Sequence, residues 1–342
     1  MKDTFETIKA LCEAKGVSGR ESSAVNVLKK ILKEYKFETD PLGNLIVTIR
    51  EAGEAEKTVL FEAHIDRIGL MVSHITQDGL LNMIKVGGVD AHTLMASEVV
   101  IDGKKGEVTG VFGLPFPYPA KPHNTVGDSE REMPKIDEML VDIGYEKPND
   151  YVRLGNEVIM KSEVIRLLGT RIAAPCLDDR ACCAAIIKAA ELSKDGLNCG
   201  LKLLFSTREE IGAVGAKTGV FSLNADMAIA VDANFAVSPD VEDDEGTELG
   251  KGVQIDIASV LDNELTEKLI ETAKREKIDC QLFVDGRRTG TDADEIAVVA
   301  RGVRTALLSL PLRFMHHPTE VIDLEDVEKT AALMAAFVKE IK

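Results

Sequence analysis

The stretch that most constrains this chain is LKLLFSTREEIG, residues 201–212, where an apolar run stops at two adjacent acids. Leu201, Leu203, Leu204 and Phe205 form a short apolar run bounded by glycine, the pattern of a strand buried inside a sheet. Open α/β sheets place their ligand crevice outside the carboxyl ends of such strands, so Glu209 and Glu210 would stand at a crevice mouth. A solvated loop can also carry an isolated Glu-Glu pair. What distinguishes the two readings is that the pattern recurs. TVLFEA (58–63) runs into His64-Ile65-Asp66, AIAV (228–231) into Asp232, and TALLSL (305–310) into Pro311 to His317. Side chains alternate along an extended backbone, so His64 and Asp66 share a face and the carboxylate can fix the imidazole tautomer. Cys176-Leu177 leads into Asp178-Asp179-Arg180 at the head of a helix of small and apolar residues. Two aspartates there could equally be capping acids that suit the helix dipole.

Between these strands the spacing of apolar residues predicts helices over 21–35 and 263–278, and a C-terminal helix capped by Asp323. From Gly69 to about Glu163 the character changes to short β-type runs separated by Gly-containing turns. This reads as a small β-rich insertion. It includes a Pro-rich loop at 114–122 and three histidines, His74, His92 and His123, taken as structural or exposed. Residues 240–248 are an acidic, solvated loop. The N-terminal segment is an amphipathic helix lacking the features of a signal peptide, and no apolar run reaches the length of a membrane span, which together point to a cytoplasmic protein. The formal charge of −17 disfavours a nucleic-acid partner, which needs a basic face. Six cysteines without CxxC spacing read as buried thiols in a reducing compartment.

The polar residues at these element ends form a constellation: His64, Asp178, Glu210, Asp232 and His316, with Glu209 beside them. Two histidines and three carboxylates suit a pair of divalent ions, one carboxylate bridging and each ion taking one histidine and one further acid. Zn²⁺, Co²⁺ and Mn²⁺ accept such mixed N/O ligands. Glu209 would be left free to move a proton, which suits hydrolysis without a protein nucleophile. No GxSxG elbow, no Cys with an evident His partner, and no Walker A or GxGxxG loop is present.

The chain resembles the M42 family of dinuclear metallo-aminopeptidases, the tetrahedral (TET) group. The matching pieces are AHIDRIGLMV (63–72), LDDR (177–180), STREEIGAVGA (206–216), AVDANFA (230–236), TGTDAD (289–294) and PLRFMHHPTEV (311–321), in family order. The resemblance implies an α/β fold: a zinc-peptidase-like catalytic domain of residues 1–68 and 164–342, its mixed sheet covered by helices on both faces. An inserted β-barrel-like dimerisation domain would occupy 69–163. It implies that His64 and Asp232 bind one metal, that Glu210 and His316 bind the other, and that Asp178 bridges them. Glu209 would be the general base and acid, acting with a hydroxide that bridges the metals. Asp66 would orient His64, and Asp179 would support the ligands from behind. Zn²⁺ or Co²⁺ is the expected metal, with Mn²⁺ tolerated, peptides the substrate, and a homo-oligomer built from dimers, up to a dodecamer, the assembly.

The chain departs from the family pattern at Arg67, where an acid usually follows Asp66, at Cys182-Cys183, at Val253 and at His317. Arg67 motivates a rival reading, a catalytically impaired binding or assembly protein on the same fold. A carboxylate-based glycosidase is a second rival. It accounts for neither histidine, and an aromatic content of 4% with no Trp is poor for sugar stacking.

Overall fold

The computed structural model describes residues 3–95, 97–113, 135–239, 241–242 and 245–341. The expected Pro-rich loop at 114–122 and His123 lie outside the described residues, as do Asp240, Asp243 and Asp244 of the acidic loop. The chain divides into two compact units. One comprises Met1–Arg67, Glu163–Met315 and Thr319–Lys342, the other Ile68–Ser162 and His316–Pro318.

The larger unit is built on an eight-stranded mixed sheet. Its strands lie in the order Lys36–Thr39, Leu45–Arg50, Gly200–Ser206, Thr58–His64, Met227–Phe235, Arg304–Leu312, Val253–Ala258 and Cys280–Asp285. The four central strands, from Gly200–Ser206 through Arg304–Leu312, run parallel, so their carboxyl ends share one edge. Period-two alternation sends side chains to opposite faces. Val59, Phe61 and Ala63 pack with the helices Thr4–Cys12, Ser22–Ile31, Leu177–Ser193, Asn263–Glu276 and Leu324–Lys339. Leu60, Leu204, Ala228 and Leu307 point the other way, into a smaller core with Val214–Phe221 and Asp292–Ile296. Burial on both faces is why these strands read as nearly continuous apolar runs.

The smaller unit is a closed antiparallel barrel of Gly69–Ile75, Leu81–Val86, Leu140–Asp142, Gly106–Gly113, Glu98–Gly103 and Glu157–Met160. Leu70, Val72, Met83, Val99, Ile101, Val141 and Val158 fill it. Closure removes the exposed edges that short strands would otherwise present. Among the described residues no helix is long and apolar enough to cross a membrane.

Some boundaries differ from expectation. The helix expected over 21–35 is Ser22–Ile31, and the chain then forms the exposed edge strand Lys36–Thr39. All six cysteines are free, five of them buried. Val253–Ala258 is not apparent from the sequence because Gln254 and Asp256 interrupt it. Both are buried in a chain of hydrogen bonds: Thr247 donates to Gln254 (2.8 Å), Gln254 to Asp256 (2.6 Å), and Ser309 to Asp256 (2.8 Å).

That chain gives a pH prediction. Burial pushes the Asp256 carboxyl up to about 7, against two hydrogen bonds that favour its ionised form. In the unfolded chain the same group titrates near 4. The folded state therefore binds the extra proton between those values, and stability falls as pH rises through the window. Between pH 5 and 7 this group alone should cost about 2–3 kcal/mol. Asp256→Asn should remove that slope. Denaturant unfolding of both proteins from pH 5 to 8 checks it, and parallel profiles would refute it.

Candidate metal centre

The site begins with His64, the last residue of Thr58–His64, where Ser206 of the neighbouring parallel strand lies in register with it. Its ring is buried. Nε2 lies 3.1 Å from Asp178 Oδ1 and 3.9 Å from Asp232 Oδ1. Nδ1 lies 3.5 Å from Asp66 Oδ1, an ion-pair distance rather than a hydrogen bond, so this atom has no hydrogen-bond partner. Asp66 thus faces the nitrogen opposite the one that points at Asp178, the arrangement expected for a carboxylate that orients the ring.

Asp66 also does something not apparent from the sequence. Its Oδ1 accepts from the Glu209 backbone N–H (3.0 Å), and its Oδ2 accepts from the Glu210 N–H (3.3 Å) and the Ser18 hydroxyl (2.5 Å). One carboxylate therefore faces the imidazole and holds the turn bearing both glutamates. That turn, Glu209–Ile211, is entered through Arg208 at φ 60° and left through Gly212 at φ 112°. Asn44 anchors its near end: its side-chain oxygen accepts from the Thr207 N–H (2.8 Å), and its amide donates to the Gly215 carbonyl (2.9 Å).

Asp178 and Asp179 open the helix Leu177–Ser193, yet both have non-helical backbone angles and the N-cap position is Cys176. The helix is kinked there, and both carboxylates reach His64. Asp178 faces His64, while its backbone N–H donates to Glu320 (3.0 Å). Asp179 Oδ2 accepts from the His64 backbone N–H (3.1 Å), and its Oδ1 is buried with no partner. Asp232 stands within the Met227–Phe235 strand.

Among the described residues two sets of side chains are close enough to hold a cation, with ligand atoms within 4.8 Å of one another: His64, Asp178 and Glu210, and His64, Asp179 and Asp232. Neither set contains His316, which belongs to the barrel unit. There its ring lies against Gly88, where an added Cβ would fall 2.4 Å from His316 Nδ1. Glu209 is in neither set.

The electrostatics fit a cation. Burial, and then the neighbouring carboxylates, raise Asp179 and Asp232 well above the usual carboxylate range. Burial pushes Glu209 up to about 9, with Asp232, Asp292 and Asp178 adding to it and His64 opposing. For His64 burial favours the neutral ring, but the Asp178 and Asp66 carboxylates facing its two nitrogens outweigh it and raise the pKa. A crowd of buried acids around one imidazole, with an orphaned carboxylate oxygen, is a mixed N/O donor set for a divalent ion.

One further group was not apparent from the sequence. Ser206 Oγ lies 2.6 Å from Glu62 and 2.6 Å from Asp292, all three buried. A hydroxyl has one proton to donate, so a second proton must sit in this cluster. Burial, then Asp292, raise Glu62 well above the carboxylate range.

Similarity to known proteins points the same way as this geometry. The family model described as M42 glutamyl aminopeptidase matches residues 43–333. A lysyl aminopeptidase of Pyrococcus furiosus is 35% identical, over 99% of this chain and 97% of its own. The Pyrococcus horikoshii TET1 peptidase, described as able to assemble into a tetrahedron or a large octahedral shell, aligns with a TM-score of 0.84. It is 29% identical, over 99% of this chain and 100% of its own. A structure from Thermotoga maritima described as an endoglucanase aligns with a TM-score of 0.78 at 28% identity, over 97% of this chain and 96% of its own.

The anchoring of the glutamate turn gives a steric prediction. A Cβ on Gly215 would lie 2.1 Å from the Thr207 carbonyl oxygen and 2.5 Å from Asn44 Oδ1, so backbone must move. Gly215→Ala should cost about 1–3 kcal/mol and lower the melting temperature by about 3–8 °C. Gly286→Ala meets nothing within 4 Å and is the control. Equal melting temperatures for the two variants would contradict the packing described.

Proposed function

The chain belongs to the M42 glutamyl aminopeptidase family, and we propose that it removes N-terminal residues from peptides using two divalent cations held at the His64 cluster. It is an aminopeptidase by family. The observation that carries the finer reading is the convergence of His64, Asp178, Glu210 and Asp232, with His64 Nε2 turned toward the carboxylates. In this reading His64, Asp178, Glu210 and Asp232 would hold the two ions, with His316 assigned as a further ligand on the sequence resemblance alone. Asp179 supports the set from behind, because one of its oxygens is engaged by the His64 backbone.

Divalent ions bound there would acidify water and polarise the scissile carbonyl. The remaining work falls to the chain. A Glu209 carboxylate oxygen accepts the proton released by the attacking water and delivers it to the leaving amine. Cations bound beside it would oppose the burial that raises its proton affinity and leave a carboxylate able to accept a proton. Asp66 fixes the Glu209 backbone, so the carboxylate swings from a stationary point. Zn²⁺ or Co²⁺ suits the nitrogen-containing set, and Mn²⁺ is compatible with it. Assembly into a homo-oligomer, with the barrel unit as dimer contact and a dodecamer as the complete particle, is supported by the shell-forming P. horikoshii relative.

The impaired-enzyme reading rests on Arg67 alone, which is 3% exposed and pairs through its backbone with the 16–18 segment. The endoglucanase description of one neighbour favours the glycosidase reading. A glycosidase would use carboxyls alone, about 5–9.5 Å apart, with no role for an imidazole.

Glu209→Gln should lower kcat by about 10²–10⁴-fold while the metal-to-protein ratio stays at the wild-type value. Wild-type turnover in that variant would remove Glu209 from its role. Glu210→Ala should lower the bound metal, measured by elemental analysis after desalting. A chelator should abolish turnover and added Zn²⁺ or Co²⁺ restore it; activity that survives chelation would favour the carboxylate-only glycosidase.

A further inference from the structure

The short helix Asp292–Ile296 meets the chain on both sides of the glutamate turn, and none of its residues belongs to either cation-binding set. On the near side Asp292 Oδ2 lies 2.6 Å from the Ser206 hydroxyl, which is also 2.6 Å from Glu62. Asp292 is 1% exposed, and its Oδ1 is buried with no partner. Ser206 ends its strand, and its carbonyl accepts from the Ile65 N–H (2.8 Å), between His64 and Asp66. On the far side the turn runs into Val214–Phe221, whose Ala216 and Val220 share an apolar core with Ala293 and Ile296. Lys217 pairs with Glu295 (2.9 Å), an exposed and therefore weaker tie. The segment that presents Asp292 is itself fixed. The Asp294 carboxylate accepts from the Thr289 N–H (2.9 Å), the Thr289 hydroxyl (3.0 Å) and the Gly290 N–H (3.0 Å), and the Thr291 hydroxyl accepts from the Ala293 N–H (3.2 Å).

We propose that Asp292 is a positioning residue: its hydrogen bond to Ser206 fixes the strand end from which the glutamate turn departs, and with it the placement of the Glu209 carboxylate. Only Thr207 and Arg208 separate Ser206 from Glu209. Asp66 holds the Glu209 and Glu210 N–H groups, so the turn is suspended between two buried carboxylates, Asp292 at its root and Asp66 at its crest. Stability alone does not call for this arrangement. Well-packed apolar side chains often replace buried charged groups without loss of stability, and an unpartnered buried oxygen is a cost. What the hydrogen bond adds is direction. It sets where the end of the strand stands, which an apolar contact leaves free to slide.

A misplaced carboxylate moves protons poorly, because a displacement of about 1 Å can cost about 100-fold in rate. Asp292 contributes to neither cation set, so bound metal and KM stay in place while kcat falls when the bond is lost. The hydrogen bond, not the charge, carries the effect. An asparagine at 292 keeps an oxygen that accepts from Ser206, and its amide can donate to Glu62. The effect on kcat rests on Glu209 as the proton carrier; the fixing of the turn does not.

Asp292→Ala, Asp292→Asn and Ser206→Ala are compared with the wild type as full-length proteins. In metal-free protein, hydrogen exchange read by mass spectrometry should show the amides of residues 207–213 exchanging about 10-fold faster in the two alanine variants. Those of residues 201–204 should be unchanged, and Asp292→Asn should match the wild type. After loading with Zn²⁺, the alanine variants should lose about 10–100-fold in kcat on a peptide with a free N-terminus, with KM and the metal-to-protein ratio at wild-type values, and Asp292→Asn should restore kcat. If Asp292→Ala does not fold, Ser206→Ala, which loses a single oxygen, carries the comparison. Unchanged exchange over 207–213 overturns the fixing of the turn. A loosened turn with wild-type kcat overturns its link to Glu209. Asp292→Asn as defective as Asp292→Ala, or a fall in bound metal, overturns the positioning role. A wild-type protein without aminopeptidase turnover would overturn the reading of Glu209, and the exchange would still decide the fixing of the turn.

Discussion

The constraint on which the rest depends is the crowding of acids at the carboxyl edge of a parallel sheet. Asp178, Asp179, Asp232 and Glu209 are drawn into low-dielectric surroundings with a single imidazole among them. Burial and mutual repulsion both oppose ionisation there. Such a cluster is relieved by taking up protons or by a cation, and its mixed nitrogen and oxygen donors are of the type a divalent ion accepts. The sheet accounts for the crowding. Parallel central strands bring their last residues to one edge, so residues far apart in sequence arrive together without long loops.

Asp66 makes this edge a site. It faces His64 on one side, holds the backbone of Glu209 and Glu210 on the other, and takes a hydrogen bond from Ser18 in the N-terminal segment. Orientation of the imidazole and placement of the glutamates are therefore not independent. A change at Asp66 would disturb both, and measured effects at His64, Glu209 and Ser18 should be non-additive for that reason. Arg180 links the same regions from beneath, because its guanidinium joins the carbonyl of Ile65, between His64 and Asp66, to the end of the first helix.

Much of this was legible in the sequence. Apolar runs ending in polar residues located the strands, and the type of each terminal residue suggested the chemistry. Residues whose role depends on a partner far along the chain were not legible. Asp66 reaches Glu209 across 143 positions, and Ser206 meets Asp292 across 86. Glu62 sits inside the apolar run TVLFEA and is buried beside Ser206. The edge strands Lys36–Thr39 and Cys280–Asp285 lack an apolar signature because one or both of their faces meet solvent. Asp178 and Asp179 left capping and metal binding equally open in the sequence, and what favours the second is the contact of both carboxylates with His64, a residue more than 110 positions away.

The most direct test of the account compares a peptide with a free N-terminus to the same peptide N-acetylated, on metal-free protein and on protein reconstituted with Zn²⁺ or Co²⁺. The account predicts that the reconstituted protein releases residues one at a time from the free peptide only, and that metal-free protein releases none. Cleavage of the acetylated peptide, internal cleavage, or equal turnover without metal would contradict it.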